Sequence, residues 1–301
     1  MTAPHLDRRR FGALIASAGL AACGAKKSEE DAPEPGSLAW AAGGPWRIEP
    51  ERDPWQHPIA TLQFWGLRPD MTVLEILPGR GWYTAIIAPY LAHGRGRLIA
   101  ASFDPQTATP AQRATLAEFD ARFMHNRRFG DIAKTVVSAD APLAPPGSVD
   151  LAILANNVHT LMAGGIAEHV FHAVFDALKP GGVFGVEQHR APSSGVQDPF
   201  AGSGYVQEPY VRLLAQEAGM EFVAASDVNA NPRDNHDHPF GVWTLPPTLR
   251  TSPLGQPDNP NFDTRPFRTI GESDRMTLKF RKPANGRPAP PPRPQNAVGP
   301  P

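Results

Sequence analysis

The stretch VLEILPGRGWYT, Val73 to Thr84, places an acid and two glycines between an apolar run and the start of a helical pattern. Glycines after a strand let the backbone pass close to a ligand, and the following helix offers free N–H groups. Gly79 and Gly81 are therefore read as ligand-facing, with Leu77 standing where a third glycine is expected. A dinucleotide fingerprint fails because Thr84 occupies its last glycine position, and a Walker loop fails because no Gly-Lys-Ser/Thr follows. Glu75 ends the run, where a carboxylate can help hold a cationic amino-acid moiety while the turn passes under a nucleoside.

Other residues carry chemistry by type and spacing. Asn156, Asn157 and His159 follow a strong apolar run, and His159 is a candidate general base. Glu187 and His189 stand two apart at a strand end and so face one side. They can orient or deprotonate a hydroxyl or amine; the competing reading is a structural charge pair. NPRDNHDHPFGVW gathers Asp234, His236, Asp237 and His238 near Trp243. This reads as a lid or acceptor pocket, with Tyr205 in the same group, or as a chelating or merely ordered surface loop. His169 and His172 lie on the polar face of a helix and read as solvated, so no metal site is assigned.

These residues need a scaffold. Met71–Leu77, Arg97–Phe103, Thr135–Val137, Val149–Ala155, Val183–Gln188 and Met220–Ala224 read as strands. Thr84–Leu91, disturbed at Pro89, and Pro110–Phe123 read as helices. Ile166, Val170, Phe171, Val174, Phe175 and Leu178 make a helical stripe stopped by Pro180 and Gly181-Gly182, and Pro209–Ala218 is a further helix. Met276–Phe280 alternates like a last strand. Such βαβα order argues for an α/β fold, a doubly wound and mostly parallel sheet in a single domain, with ligands beyond the carboxyl ends of the strands.

VLEILPGRGWYT, the loop SADAPLAPPGSVDLAIL, the turn LKPGG and the segment YVQEPYVRLLAQEAGMEFV resemble class I S-adenosylmethionine-dependent methyltransferases, the first of them their motif I. More narrowly, ILPGRGWYTAIIAPYL, NNVHTLM, NANPRDNHDHPFGVWTLPPTLR and GESDRMTLKF resemble a group of bacterial predicted methyltransferases, many apparently exported. The resemblance implies S-adenosylmethionine as cofactor, a small-molecule acceptor and His159 beside that acceptor. It implies Asp140 at the adenine amine and Asn156 at the ligand edge of the sheet. Ser102 falls where the family's carboxylate binds the ribose, and Asp104, two residues on, is its substitute. His57, in DPWQHP, lies in the region that covers the cofactor, while Trp55 and Trp65 read as core.

The chain has 301 residues, 41% of them hydrophobic, and a formal net charge of -1, so no global field favours nucleic acid. It has one cysteine, Cys23, which excludes an internal disulfide. Arg8-Arg9-Arg10-Phe11 resembles a twin-arginine export signal, and Leu20-Ala21-Ala22-Cys23 resembles a lipobox. The expected organisation is an export signal over 1–23, a tether over 24–37, a methyltransferase-like domain over 38–282 and a Pro-rich disordered tail over 283–301. The expected location is the cell envelope, with membrane contact only through a lipid on Cys23; the oligomeric state is not legible. Two rival functions stay open: a non-catalytic ligand-binding lipoprotein on this fold, and a metal-dependent hydrolase.

Overall fold

The computed structural model describes Met1 and residues 32–289. The segment expected to be an export signal, Cys23, the expected tether up to residue 31 and the chain from residue 290 lie outside the described residues.

An N-terminal layer of α1 (Leu38–Ala42), α2 (Asp53–Gln56) and α3 (Pro58–Trp65) precedes the sheet. Then β1 (Thr72–Ile76), α4 (Thr84–Gly94), β2 (Arg97–Ser102), α5 (Pro110–Phe123), β3 (Ile132–Val136) and β4 (Val149–Ala155) alternate. The second half contains α6 (Val158–Ala163), α7 (Ala167–Ala177), β5 (Leu178–Ala191), β6 (Val206–Gln207), α8 (Glu208–Glu217), β7 (Glu221–Ser226), α9 (Arg265–Ile270) and β8 (Arg275–Arg281). The strand order is β3-β2-β1-β4-β5-β8-β7, with β6 paired to the end of β5. The first five strands are parallel, and β8 runs antiparallel between β5 and β7. This is the doubly wound, mostly parallel sheet that the element order predicts. The chain leaves β1 toward one edge and β4 toward the other, so a crevice opens between their carboxyl ends.

Side-chain alternation divides the core. Leu74 and Ile76 pack beneath α7, while Val73 joins Ile86, Ile87, Leu98 and Ile153 on the opposite face. Glu75 shares parity with Val73, which buries an acid among apolar neighbours.

Local chemistry explains the element ends. α5 begins where the sequence predicts, because Thr109 and Gln112 cap each other's backbone and Pro110 fits the first turn. α4 runs straight through Pro89 rather than stopping. A proline there removes the N–H that would bond to the Ala85 carbonyl. Trp46 Nε1 donates to that carbonyl at 2.9 Å, so the orphaned acceptor is satisfied from the N-terminal layer. Of the two tryptophans read as core, Trp65 is fully buried and its Nε1 donates to the Leu278 carbonyl at 3.0 Å, whereas Trp55 is only half-buried and lies outside the core. Gly185 lies directly beneath Trp65: a Cβ would fall 2.5 Å from the indole. Beyond β8 the Ala289 amide donates to the Gly219 carbonyl at 2.8 Å, so residues up to 289 return to the body of the fold.

Candidate functional site

A cleft of about 800 Å³, mouth included, lies at the crevice between β1 and β4. Its floor is Glu75, Leu77, Gly79 and Asn156, and its outer wall is Glu49, Arg52 and Gln56 from the N-terminal layer. Backbone shape comes first. Leu77 (φ 52°) and Asn156 (φ 54°) are both left-handed, a conformation that costs a non-glycine residue about 1–2 kcal/mol. Leu77 thus keeps the geometry a glycine would adopt freely, and its side chain is absorbed by the core. Asn157 Nδ2 donates to the carbonyls of Leu77, at 3.1 Å, and Ala155, at 2.9 Å, which ties the two strand ends together. Gly79 is left-handed (φ 58°), and a Cβ there would meet nothing within 4 Å. Gly81 is different and corrects the sequence reading. Its missing Cβ makes room for Phe123, whose ring would lie 2.2 Å away, so this glycine serves packing and does not face the cleft.

The Glu75 carboxyl accepts a 2.6 Å hydrogen bond from Thr84 Oγ1, with no cation paired to it among the described residues. Burial pushes its pKa up to about 7, and the Thr84 bonds only partly counter this. Asn156 Oδ1 is buried and has no partner among the described residues. Both residues line the cleft.

Behind the cleft runs a buried ionic chain. Glu187 accepts from Tyr83 Oη at 2.7 Å and pairs with Arg275 Nε at 2.8 Å. Arg275 also donates to Glu272 at 2.9 Å and to the Trp55 carbonyl. Glu272 is held further by Arg52, at 2.7 Å, and Gln56 Nε2, at 2.5 Å. Burial pushes the Glu187 carboxyl up, with Arg275 and Tyr83 opposing. Burial acts the same way on Glu272, but its bonds and charge contacts with Arg52 and Arg275 outweigh it and hold that carboxyl below its ordinary value. Glu187 is thereby engaged on both oxygens, and its charge partner is Arg275 rather than His189, which bonds to Ser273 instead.

A second pocket of about 590 Å³ adjoins the cleft and shares Arg52 and Asn156 with it. His159, His189, Ser273, Arg275 and Trp243 line it, with Pro246 to Thr248. His159 Nδ1 lies 3.2 Å from Gln188 Nε2, and its ring meets Trp243 edge-on at 5.8 Å. Burial lowers the pKa of His159, and burial together with the charges of His159 and Arg275 lowers that of His189 further. Both imidazoles are neutral at pH 7.

Several expected site residues sit elsewhere. Ser102 is buried at the end of β2 and lines neither cavity; Asp104 turns back to accept from the Gln106 amide at 2.8 Å. Asp140 is exposed on the far loop, where its own amide donates to Ser138 Oγ. His57 is exposed, bonded to Asn229 at 3.3 Å, and leaves the covering role to Arg52 and Gln56 of the same segment. In the 227–274 insertion, Trp243 is at the pocket, but Asp234 and its partners are not. Asp234 accepts from Tyr205 Oη at 2.8 Å, His238 Nε2 at 2.8 Å, and the amides of His236 and Asp274. It is the hub that shapes the insertion, and Tyr205 and His236 are its spokes. Among the described residues no group of three or more His, Cys, Asp or Glu is arranged to hold a metal ion.

Sequence reasoning missed Arg52, Tyr83, Ser273 and Arg275. Only Tyr83 had a local signal, standing between the glycine turn and the helix; Arg52 meets Glu272 across 220 residues.

No family model and no curated protein matches the chain. Solved structures match in fold. The chain is similar to the [4+2]-cyclase SpnF at a TM-score of 0.51 and 14% identity, over 80% of this chain and 85% of that one. A SAM-dependent methyltransferase from Aquifex aeolicus matches at 0.46 and 17% identity, over 60% and 88%. An S-adenosylmethionine-dependent methyltransferase from Mesorhizobium loti matches at 0.45 and 13% identity, over 74% and 96%. The fold of this chain is the Rossmann-like, doubly wound class, with a polar cleft at the switch point of the sheet.

Proposed function

We propose that the chain binds S-adenosylmethionine in the cleft and transfers its methyl group to a small molecule in the adjoining pocket. The observation that carries this reading is the junction: two cavities meet at Asn156 and Arg52, beside the carboxyl ends of β1 and β4. The residues present fit the amino-acid end of the cofactor. Glu75 supplies a carboxyl with no paired cation, Gly79 leaves open space, and Asn156 Oδ1 is a buried acceptor without a partner. They supply no carboxylate to the ribose, since Ser102 and Asp104 both lie off the cleft. When bound, the cofactor supplies an electrophilic methyl group on a sulfonium.

The chain's own work is positioning and exclusion of water. Trp243 and Pro246 to Thr248 roof the acceptor pocket. His159, neutral because it is buried, accepts the proton of a hydroxyl or amine acceptor. Glu187 acts at one remove, fixing Tyr83, Asn156 and Arg275. The missing ribose carboxylate favours the second reading, a binding protein without turnover on the same cleft.

Calorimetry separates the possibilities. S-adenosylmethionine and S-adenosylhomocysteine should bind with Kd values below about 1 mM. Gly79→Asn should abolish the heat with little change in melting, because asparagine tolerates the left-handed backbone while its side chain enters the cleft. No heat from the parent protein at millimolar ligand would end this proposal, and heat without methyl transfer to any acceptor would select the binding reading.

The finer group, exported methyltransferase lipoproteins, belongs to the same proposal. Its test is Cys23→Ala, which should release the protein from the membrane fraction or leave it unprocessed. Normal cleavage with full membrane retention would overturn the lipid anchor.

A further inference from the structure

The acceptor pocket holds a second constellation that methyl transfer does not use. Ser273 Oγ lies 2.6 Å from His189 Nδ1, its only hydrogen-bond partner among the described residues. Ser273 is 3% exposed, yet it lines the pocket. A buried hydroxyl hydrogen needs an acceptor, and Nδ1 is the one in reach, so the hydroxyl donates to His189. Nδ1 is then the unprotonated nitrogen, the arrangement of a nucleophile with its base.

The pair is held rigidly. His189 is on β5, where it pairs with Arg275 of β8. Ser273 is fixed from both sides: the Glu272 carbonyl accepts from Asn231 Nδ2 at 2.6 Å, and Asp274 takes a two-point bond from Arg190 at 2.8 and 2.9 Å. Burial and neighbouring positive charge hold His189 neutral at pH 7, which leaves its Nδ1 lone pair free to accept from the serine while making it a weaker base than an exposed imidazole. Arg52 lines the same pocket with its guanidinium held on both oxygens of Glu272.

We propose that Ser273 and His189 form a nucleophile–base pair that cleaves small carboxylic esters in this pocket, a hydrolytic activity that needs neither cofactor nor metal. Ser273 Oγ forms a bond to the acyl carbon while its proton passes to His189 Nδ1. The bond to the leaving alcohol breaks, and His189 returns the proton to that oxygen. Water then attacks the acyl-serine with His189 as base, releasing the carboxylic acid and restoring the serine. The pocket, about 590 Å³ with its mouth included, has room for a small ester beside Ser273.

The test uses the purified chain, a fluorophosphonate probe and p-nitrophenyl acetate, and it is independent of S-adenosylmethionine binding. Intact-mass and peptide mapping should show one phosphonyl group, on Ser273, and p-nitrophenolate should be released. Ser273→Ala should lose both signals. His189→Asn should slow them roughly 100-fold or more with unchanged circular dichroism. Should either variant unfold, Ser273→Cys decides: its thiol, mapped apart from Cys23, should react with iodoacetamide roughly 100-fold faster when His189 is present. An unlabelled parent protein, a label on another residue, or equal thiol reactivity with and without His189 would each overturn the proposal.

Discussion

Replacing Arg275 by methionine is expected to destabilise the protein by about 3–5 kcal/mol, the usual cost of removing one partner from a buried ion pair. Arg275 is 1% exposed and Glu187 is 0% exposed, so neither charge has water to fall back on. The guanidinium sits 2.8 Å from Glu187 and 2.9 Å from Glu272, and it also satisfies the Trp55 carbonyl. Without it, Glu187 keeps only the Tyr83 hydroxyl and a long, 3.4 Å bond from Asn156. The cost therefore comes from an uncompensated buried carboxylate rather than from lost attraction between exposed ions. Thermal melting should fall by roughly 5–9 °C. The double variant Arg275→Met/Glu187→Gln should recover more than half of the loss, since the stranded charge is gone. A loss below about 1 kcal/mol, or no recovery in the double variant, would show that the chain from Tyr83 to Arg52 is not the electrostatic frame of the cleft.

That frame marks the boundary of what the sequence makes legible. β1, β4 and α5 are readable because their signals are local: period-two apolar runs, and a Thr-Pro start three residues ahead of a glutamine. Glu75 and Gly79 are readable for the same reason, since strand, turn and helix follow one another within a dozen residues. Gly81 has the same local signature and a different job, because Phe123 approaches from α5, far along the chain. Ser102 ends its strand as expected, but the direction of the next loop decides whether Asp104 meets the cleft, and Asp104 spends its carboxylate on the Gln106 amide. In NPRDNHDHPFGVW the density of polar groups is plain, whereas the inward turn of Asp234 depends on Tyr205 and Asp274 from other segments. Ser273 and His189 are 84 residues apart and carry no shared pattern. Composition names the groups; only topology pairs them.

Glu75→Gln is expected to move stability and ligand binding in opposite directions. The folded protein holds the Glu75 proton up to about pH 7, while the unfolded chain releases it near 4.5. Between those values the unfolded state binds fewer protons, so stability is complete below pH 4.5, falls as pH rises toward 7, and stays reduced above it. A difference of about two and a half pKa units corresponds to roughly 3 kcal/mol of burial cost at pH 8. Glutamine keeps the side chain's size and can still accept from Thr84 Oγ1, but it carries no charge to bury. At pH 8 the variant should therefore be more stable by about 3 kcal/mol, and at pH 4 the two proteins should unfold together. Binding should go the other way. If the cleft takes the cationic amino-acid end of S-adenosylmethionine, the ionised carboxylate is the group that meets it, and its loss should weaken Kd roughly tenfold or more. For the parent protein, affinity should rise with pH through 7 as Glu75 ionises, a dependence the variant should lack. Urea unfolding and calorimetry at pH 4, 6 and 8 read both effects. Equal stability at pH 8 would mean that Glu75 is not a buried charge, and a stabilised variant with unchanged affinity would mean that its charge serves no ligand in the cleft.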